Sequence, residues 1–480
     1  MRVLLGGVPA IVKESRSVRK VAPEGRRIAH VAFCDPIGDH PPMEGRSMPV
    51  MAVPNLEAVA ADLFARLGEI GADGVGITRE TFGPGEGAAF DLLEAVAREH
   101  GLLTARDAAA NLSVTLPVTP EALAPTADRP CVIVASHLDS VPQGGNFDGA
   151  AGVVAGFLSL LRMQAAGVRP ARAPRLMAIR GEESAWFGKA YLGSSALFGK
   201  LAPEDLALKH RSGSHTLAAA MAGAGADLAR IGAGERLLDP AAVAAYFELH
   251  IEQGPVLVAR SLPTAIVTGI RGNVRHARVV CRGEAGHSGA VPRWLRRDAV
   301  FAMAELTSRL DEHWRVLQEQ GLDLVVTFGI VGTNPAEHAI SRIPGEAAFS
   351  FEVRSQSRDT LEAFYHLMRT ECRALERTRK VEFVFDRRLD SAPARMDDGL
   401  VKRLLGLSRR LGLPEETVPS GAGHDAALFA NEGVPSAMIF IRNDKGSHNP
   451  EERMDMADFL AGAGLLHEGL LEATGPEGTA

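Results

Sequence analysis

The stretch Ala135–Gly152 reads A-S-H-L-D-S-V-P-Q-G-G-N-F-D-G-A-A-G, and the organisation of the chain follows from it. It continues the apolar run Cys131–Val134 and leads into a segment of helical spacing, Gly149–Met163. One His, two Asp residues and a glycine-rich bend therefore stand at the carboxyl end of a buried strand, where open α/β sheets hold their ligand sites. An uninterrupted apolar run such as Cys131–Ala135 suits a strand covered on both faces. Two later runs repeat the arrangement. Pro174–Ile179 ends at Arg180-Gly181-Glu182-Glu183-Ser184, and Ala245–Ile251 carries Glu248, His250, Glu252 and Gln253 at its end. The expected fold class is α/β, with three strands delivering polar clusters at their carboxyl ends.

Working outward, Pro54–Leu67 and Ala88–His100 have helical spacing, with Asn55 as a cap and Gly101 as a stop. Asn111–Pro117 alternates like a strand. Near Ala265 the character changes: strand material over Ile266–Cys281 with a bend at Gly272 and Asn273, a helix over Leu295–Leu310, strands over Leu324–Val331 and Ala347–Arg354, a helix over Thr360–Leu375, and a strand over Val381–Phe385. This is a β-α-β-β-α-β pattern, an antiparallel sheet with helices on one face. From about Asp390 the first character returns, with a helix over Leu400–Leu411, the Gly-rich Ser420–Asp425, a strand over Ser436–Ile441 and a helix over Met454–Leu471. The expectation is a mixed-sheet domain in two pieces, 53–264 and 388–480. A smaller α+β domain, 265–387, is inserted between them, with hinges near Leu262–Ala265 and Asp386–Pro393.

Composition narrows the function. Of 480 residues, 46% are hydrophobic and 23% charged, which is ordinary for a globular chain of more than one domain. The net charge of −7 is spread over both signs and leaves no basic footprint for nucleic acid. No apolar run approaches the ~18 residues that span a bilayer, so neither nucleic acid nor membrane is an expected partner. Cys34, Cys131, Cys281 and Cys372 have no metal or redox spacing and read as thiols of a cytoplasmic protein. Met1–Val12 is largely apolar and precedes Arg16, Arg19, Lys20, Arg26 and Arg27, the reverse of a secretory signal. Residues 1–52 read as a tail or an over-long translation start, since Met48 and Met51 stand just before the first helix signal.

His137, Asp148, the pair Glu182-Glu183, His250 and His448 recur at strand ends or in loops. Imidazole and carboxylate together suit a borderline divalent metal such as zinc, with manganese, cobalt and nickel as alternatives. Taken singly, each has an ordinary structural explanation: a satisfied histidine, a solvated glutamate pair. Glu182-Glu183 differs because it directly follows a buried strand, where adjacent like charges are costly unless a cation neutralises them.

Six motifs occur in order: S-H-L-D-S-V-P-Q-G-G-N-F-D-G, G-E-E-S-A-W-F-G, E-L-H-I-E-Q-G-P-V-L, G-H-S-G-A-V-P with R-R-D-A after it, G-A-G-H-D-A, and G-S-H-N-P-E-E. With them the chain resembles the bimetallic amidohydrolases of the M20 peptidase clan, in the branch of N-carbamoyl-L-amino-acid hydrolases, β-ureidopropionases and allantoate amidohydrolases. H-I-E-Q-G-P separates that branch from the aminoacylase and dipeptidase relatives, which typically have Asp at that metal position. The resemblance covers the chain from about Asn55 onward.

The resemblance implies two divalent ions per subunit, held by His137, Asp148, Glu183, His250 and His448. Asp148 would bridge them, with His137 and His250 completing one and Glu183 and His448 the other. Asp139 would orient the His137 imidazole, and Glu182, left free, would be the general base. His287 would stabilise the oxyanion from the partner subunit of a homodimer, Arg354 would take the substrate carboxylate, and Gln253 the ureido group. Two departures bear on the substrate. Ser341 stands where the family commonly has Asn, and G-H-S-G-A-V-P replaces G-H-A-G-T-T-P. The expected activity is hydrolysis of the carbamoyl C–N bond of an N-carbamoyl amino acid or related ureido acid, releasing amino acid, CO2 and ammonia. The alternatives are an allantoate-type amidohydrolase and a non-catalytic, metal-binding amino-acid sensor.

Overall fold

The computed structural model describes residues 55–475, so the expectation for residues 1–52 lies outside the described range. Every residue of the strand Cys131–His137 is buried. Successive side chains of a strand point to opposite faces. Val132 and Val134 enter one core, and Cys131, Ile133 and Ala135 enter another. Both faces are covered, which is why the run is apolar at every position instead of alternating.

This strand pairs in parallel with Pro174–Ile179 on one side and Val243–Ile251 on the other, and Ser436–Ile441 extends the parallel block. Antiparallel strands flank it: Leu103–Arg106 and Leu112–Thr115 beyond Pro174–Ile179, and Thr264–Ile270 beyond Ser436–Ile441. Ala394–Arg395 and Thr417–Ser420 both pair with Thr264–Ile270 and complete a nine-stranded mixed sheet. The helix Asp148–Ala165 is buried along most of its length, in the same core as Leu63 and Phe64 of Leu56–Glu69 and Phe459 and Leu466 of Met456–Thr474. Each large apolar side chain fully buried there contributes roughly 1.5–3 kcal/mol. Among the described residues, no helix is long and apolar enough to cross a membrane.

A separate six-stranded antiparallel sheet has Gly272–Arg282 and Glu346–Ser355 at its centre. Glu382–Phe385, Leu389–Ser391, Val325–Thr327 and Val331–Gly332 pair around them. Residues of Glu346–Ser355 alternate between half-buried and buried, the mark of a sheet covered on one face. Helices Ala299–Glu319 and Arg358–Arg379 supply the cover. The expected order of strands and helices is present, with short edge strands added.

Among the boundaries that differ from the sequence reading, three bear on the second sheet. The helix expected over Leu295–Leu310 begins at Ala299, where the Asp298 carboxylate accepts the N–H groups of Val300 and Phe301, and runs on to Glu319. The strand expected over Leu324–Val331 is two short strands, Val325–Thr327 and Val331–Gly332. The strand material over Ile266–Cys281 divides at Arg271, Thr264–Ile270 pairing in the first sheet and Gly272–Arg282 in the second. The passage between sheets is therefore at Arg271 and not near Ala265. A Cβ on Gly272 would overlap the backbone of Ser391 and Pro393, so the outgoing and returning chains run side by side there. The bend read from Gly272 and Asn273 falls at this crossing, but nothing in the local sequence assigns the strands before and after it to different sheets.

Candidate active site

Asp139 follows the end of the Cys131–His137 strand and organises two elements at once. Its Oδ1 lies 3.2 Å from His137 Nδ1, and the same oxygen accepts the Glu182 N–H at 3.2 Å. Its Oδ2 accepts the Glu183 N–H at 3.1 Å and the Thr81 hydroxyl at 2.5 Å. Burial pushes this carboxyl up, but the His137 and Thr81 contacts outweigh it and hold it below the usual range. Asp139 is therefore an anion that fixes the His137 ring with Nε2 facing inward, and it pins the backbone of the glutamate pair.

Asp148 opens the long helix. Its Oδ1 is 3.6 Å from His250 Nε2, and its Oδ2 is 3.6 Å from His448 Nε2. The two oxygens thus face opposite halves of the site. On one side His250 Nε2 lies 3.4 Å from His137 Nε2; on the other His448 Nε2 lies 3.2 Å from Glu183 Oε1. Gln253 donates through Nε2 to Asp148 Oδ1 at 2.9 Å. Both Gln253 and His448 have left-handed backbone, with φ of 63° and 61°. That conformation costs of order 1–3 kcal/mol for residues other than glycine and persists where the surroundings impose it. Asn443 holds Gln253 in it, accepting the Gln253 N–H at 3.0 Å, and donates to Gly446 O at 2.6 Å.

Two glycines of the opening stretch allow close packing at the site. A Cβ on Gly149, inside the helix, would overlap the His137 ring, and one on Gly145 would overlap the Glu452 side chain. Glu452 Oε1 accepts the N–H groups of Phe147 (2.8 Å) and Asp148 (3.2 Å). A distant carboxylate thus caps a helix whose own N-cap residue, Phe147, makes no side-chain cap.

The electrostatics call for cations. Burial raises Glu182 well above the usual carboxylate range; His137 opposes this, while Glu183, Asp425 and Asp139 add to it. Burial also raises Asp148, takes Glu452 up to about 8 and brings His250 down to about 4. His448, beside Glu183, is lifted to about 9. So many carboxylates out of water are costly without positive charge of comparable size. Glu183 Oε1 is buried without a hydrogen-bond partner, as an acceptor waiting for a cation is, and Gln253 Oε1 is buried and unpaired as well. Asp148, Glu183 and His448 converge closely enough to hold one ion. The mixed imidazole and carboxylate donors suit zinc- or manganese-type ions.

The site opens into a cavity of about 710 Å³. Glu182, Glu183, Gln253 and His448 line one part, and Arg271, Arg275 and Arg354 of the second-sheet side line another. Arg354 forks onto Glu352 at 2.9 and 3.1 Å and donates to Gly421 O at 2.9 Å. Arg271 pairs with Asp323, and Arg275 lies 3.6 Å from Glu352. His287 and Ser341 are absent from the cavity lining of their own chain. They are neighbours of each other, in a short pairing where His287 stands opposite Arg342 and the Ser288 N–H donates to Ser341 O at 2.8 Å.

Sequence reasoning missed Thr81, His424, Asn443 and Glu452. His424 lies edge-on to His250, with ring centroids 4.5 Å apart, and bonds Ser420 Oγ at 2.9 Å. His424 and Glu452 stand in motifs already singled out, G-A-G-H-D-A and H-N-P-E-E, so a signal existed for them. Thr81 and Asn443 carry none, because only the fold brings them in.

The model of the family described as "Peptidase family M20/M25/M40" matches residues 133–472. The chain is 34% identical over 410 residues to an N-carbamoyl-L-amino acid amidohydrolase of Geobacillus stearothermophilus, covering 84% of this chain and 96% of that one. It is 32% identical over 336 residues to the allantoate amidohydrolase of Escherichia coli (strain K12), covering 70% and 79%. The crystal structure of a hydantoinase/carbamoylase family amidase from Burkholderia ambifaria superposes with a TM-score of 0.76 at 29% identity, over 89% of this chain and 98% of the other. With the family model matched over most of its length and the di-acid, tri-histidine cluster assembled at its strand ends, the chain belongs to peptidase family M20/M25/M40.

Proposed function

We propose that the protein is a metal-dependent hydrolase of the carbamoyl C–N bond of an N-carbamoyl amino acid or related ureido acid, yielding the amino acid, CO2 and ammonia. The observation that carries this reading is the cavity, with an acid–imidazole cluster in one part and three guanidinium groups against two carboxylates, Asp323 and Glu352, in another. A small molecule with a hydrolysable carbonyl and a carboxylate fits that pairing. The names of the relatives support the ureido class.

His137 and His250 with Asp148 would hold one divalent ion, and Glu183 and His448 with Asp148 the other. When bound, the ions would supply Lewis-acid polarisation and acidify a water. Glu182, buried and without a donor of its own, takes the proton from the attacking water and returns it to the leaving nitrogen. Gln253 fixes Asp148 and presents its free Oε1 to the ureido N–H groups. Arg354 exchanges Glu352 for the substrate carboxylate.

His287, with Ser341 beside it, acts from the partner subunit of a homodimer, worth about 3–4 kcal/mol as an oxyanion donor. Exposed Trp294, Leu295, Ile330, Val331 and Ile340 support a partner-covered surface on that side of the chain. The second-sheet unit then serves as lid and dimerisation domain. Buried free Cys131, Cys281 and Cys372 support a cytoplasmic setting. An allantoate-type substrate is the second reading, favoured by Ser341, whose shorter side chain leaves more room than the expected Asn.

The test is ammonia release from N-carbamoyl-L-amino acids, β-ureidopropionate and allantoate, with Zn2+, Mn2+, Co2+ or Ni2+ added after chelation. Turnover of N-carbamoyl amino acids is expected. Metal-loaded protein that releases no ammonia from any ureide overturns the reading.

A further inference from the structure

We propose that Glu80, His210 and His215 form a second, non-catalytic binding site for a zinc-class divalent cation, separate from the cluster around Asp148. The two histidines sit on a tight turn closed by the pairing of Lys209 with Thr216. The His210 N–H donates to His215 O at 2.9 Å, and the N–H of Gly213, at φ +73°, donates to His210 O at 2.7 Å. This turn stacks the two imidazoles with centroids 4.8 Å apart. Glu80 approaches from the other side, its Oε1 3.2 Å from His210 Nε2 and 3.8 Å from His215 Nε2. All three ligand atoms lie within 4.8 Å of one another.

Two features separate this cluster from a plain ion pair. His210 is only 7% exposed, yet its Nε2 is buried with no hydrogen-bond partner, because Glu80 Oε1 lies off the direction a hydrogen bond needs. The rear nitrogens, in contrast, are tied together. His210 Nδ1 meets Ser212 Oγ at 2.7 Å, Ser212 Oγ meets Ser214 Oγ at 2.7 Å, and Ser214 Oγ meets His215 Nδ1 at 2.8 Å. Hydroxyls behind both rings let each Nδ1–H donate outward and each Nε2 turn its lone pair toward Glu80, the support that metal-bound imidazoles require. The Ser212 N–H donates to His210 Nδ1 at 3.2 Å, so cation binding requires His210 to carry its proton on Nδ1 instead, facing Ser212 Oγ. Two imidazoles and a carboxylate are a zinc-class donor set. The fourth position faces a cavity of about 540 Å³ lined by Glu80 and His215, where water can complete it.

The position gives such a cation a purpose. Trp186 stacks on His210 with centroids 5.5 Å apart, donates through Nε1 to Ser140 O at 2.8 Å, and accepts the Arg211 N–H at 2.7 Å. Trp186 lies in the loop that begins with Glu182 and Glu183. Thr81, next to Glu80, donates to Asp139. A cation here clips the 209–216 turn to the segment carrying Thr81 and braces the glutamate loop from behind.

The experiment compares full-length wild type with His215→Ala and Glu80→Gln, each stripped by chelator, dialysed against buffered Zn2+ and counted for metal per chain. The wild type is expected to hold one more zinc ion per chain than either variant, and zinc is expected to raise its Tm more. The difference reads the same whether the cluster around Asp148 binds two ions or none, so failure here and failure of the proposed activity are distinguishable. Glu80→Gln keeps the side-chain shape and serves if His215→Ala misfolds. Equal zinc counts in wild type and a folded variant overturn the proposal.

Discussion

The carboxylate of Asp139 is shared between His137 and Glu183: one oxygen lies 3.2 Å from the His137 Nδ1, and the other accepts the Glu183 N–H at 3.1 Å. Two residues distant in sequence are therefore registered by one anion. In Asp139→Asn, an NH2 group must face either the imidazole together with the Glu182 N–H or the Glu183 N–H, and one side of the arrangement loosens. The expected cost is roughly 10–100-fold in kcat or metal affinity, as for other residues that orient metal-binding groups. Metal content after dialysis, measured with kcat, checks it. Full metal with unchanged kcat would remove Asp139 from the machinery.

Glu182→Gln changes neither volume nor the backbone bond to Asp139, and it takes one negative charge out of a crowded buried cluster. The fold and metal content are expected to stay, while kcat falls by about 10²–10⁴-fold through loss of proton transfer. Near-normal kcat in metal-replete protein would refute the assignment of the base.

Gly149→Ala and Gly464→Ala are the same substitution, both inside helices, with opposite expected signs. At Gly464 an added Cβ meets nothing within 4 Å, so helix propensity prevails and the variant gains about 0.5–1 kcal/mol. At Gly149 the Cβ overlaps the His137 ring, and overpacking costs about 1–3 kcal/mol together with a displaced imidazole. Thermal melts of the two variants check the sign. A stabilised Gly149→Ala would show that the helix can slide away from His137.

His467 predicts a specific acid sensitivity. Burial lowers its imidazole to about 4 from an ordinary 6.5, with Arg162 adding to the shift. As pH falls below 6.5 the unfolded chain takes up a proton there, and the folded chain does not until about 4. Stability attributable to this group is therefore complete above 6.5 and lost as pH falls toward 4, by roughly 3 kcal/mol over the full window. His467→Gln, which cannot titrate, is expected to show a smaller drop in Tm between neutral and mildly acidic buffer than the wild type. Equal drops would assign the acid sensitivity to other groups.

Much of this molecule is legible in the chain itself. The strands Cys131–His137, Pro174–Ile179 and Ser436–Ile441 read directly from apolar runs, because a strand covered on both faces has no polar position to confuse it. His137, Asp148, Glu182, Glu183, His250 and His448 read from motifs, because each motif is local and its chemistry rare. The border at Arg271 did not: Gly272 and Asn273 mark a bend there, but a change of sheet leaves no local signal, because sheet membership is set by distant partners.

Only the tertiary structure decided which distant groups complete the site. Glu452 caps the helix that Asp148 begins, Asn443 holds Gln253 in its left-handed conformation, and Thr81 bonds Asp139. It also brought Glu80 to His210 and His215, more than a hundred residues along the chain, with nothing in the spacing to announce them. Periodicity and motif record what a residue does for its own strand or helix. The partner across a crossing is set by packing, where the position of every side chain depends on the whole sheet.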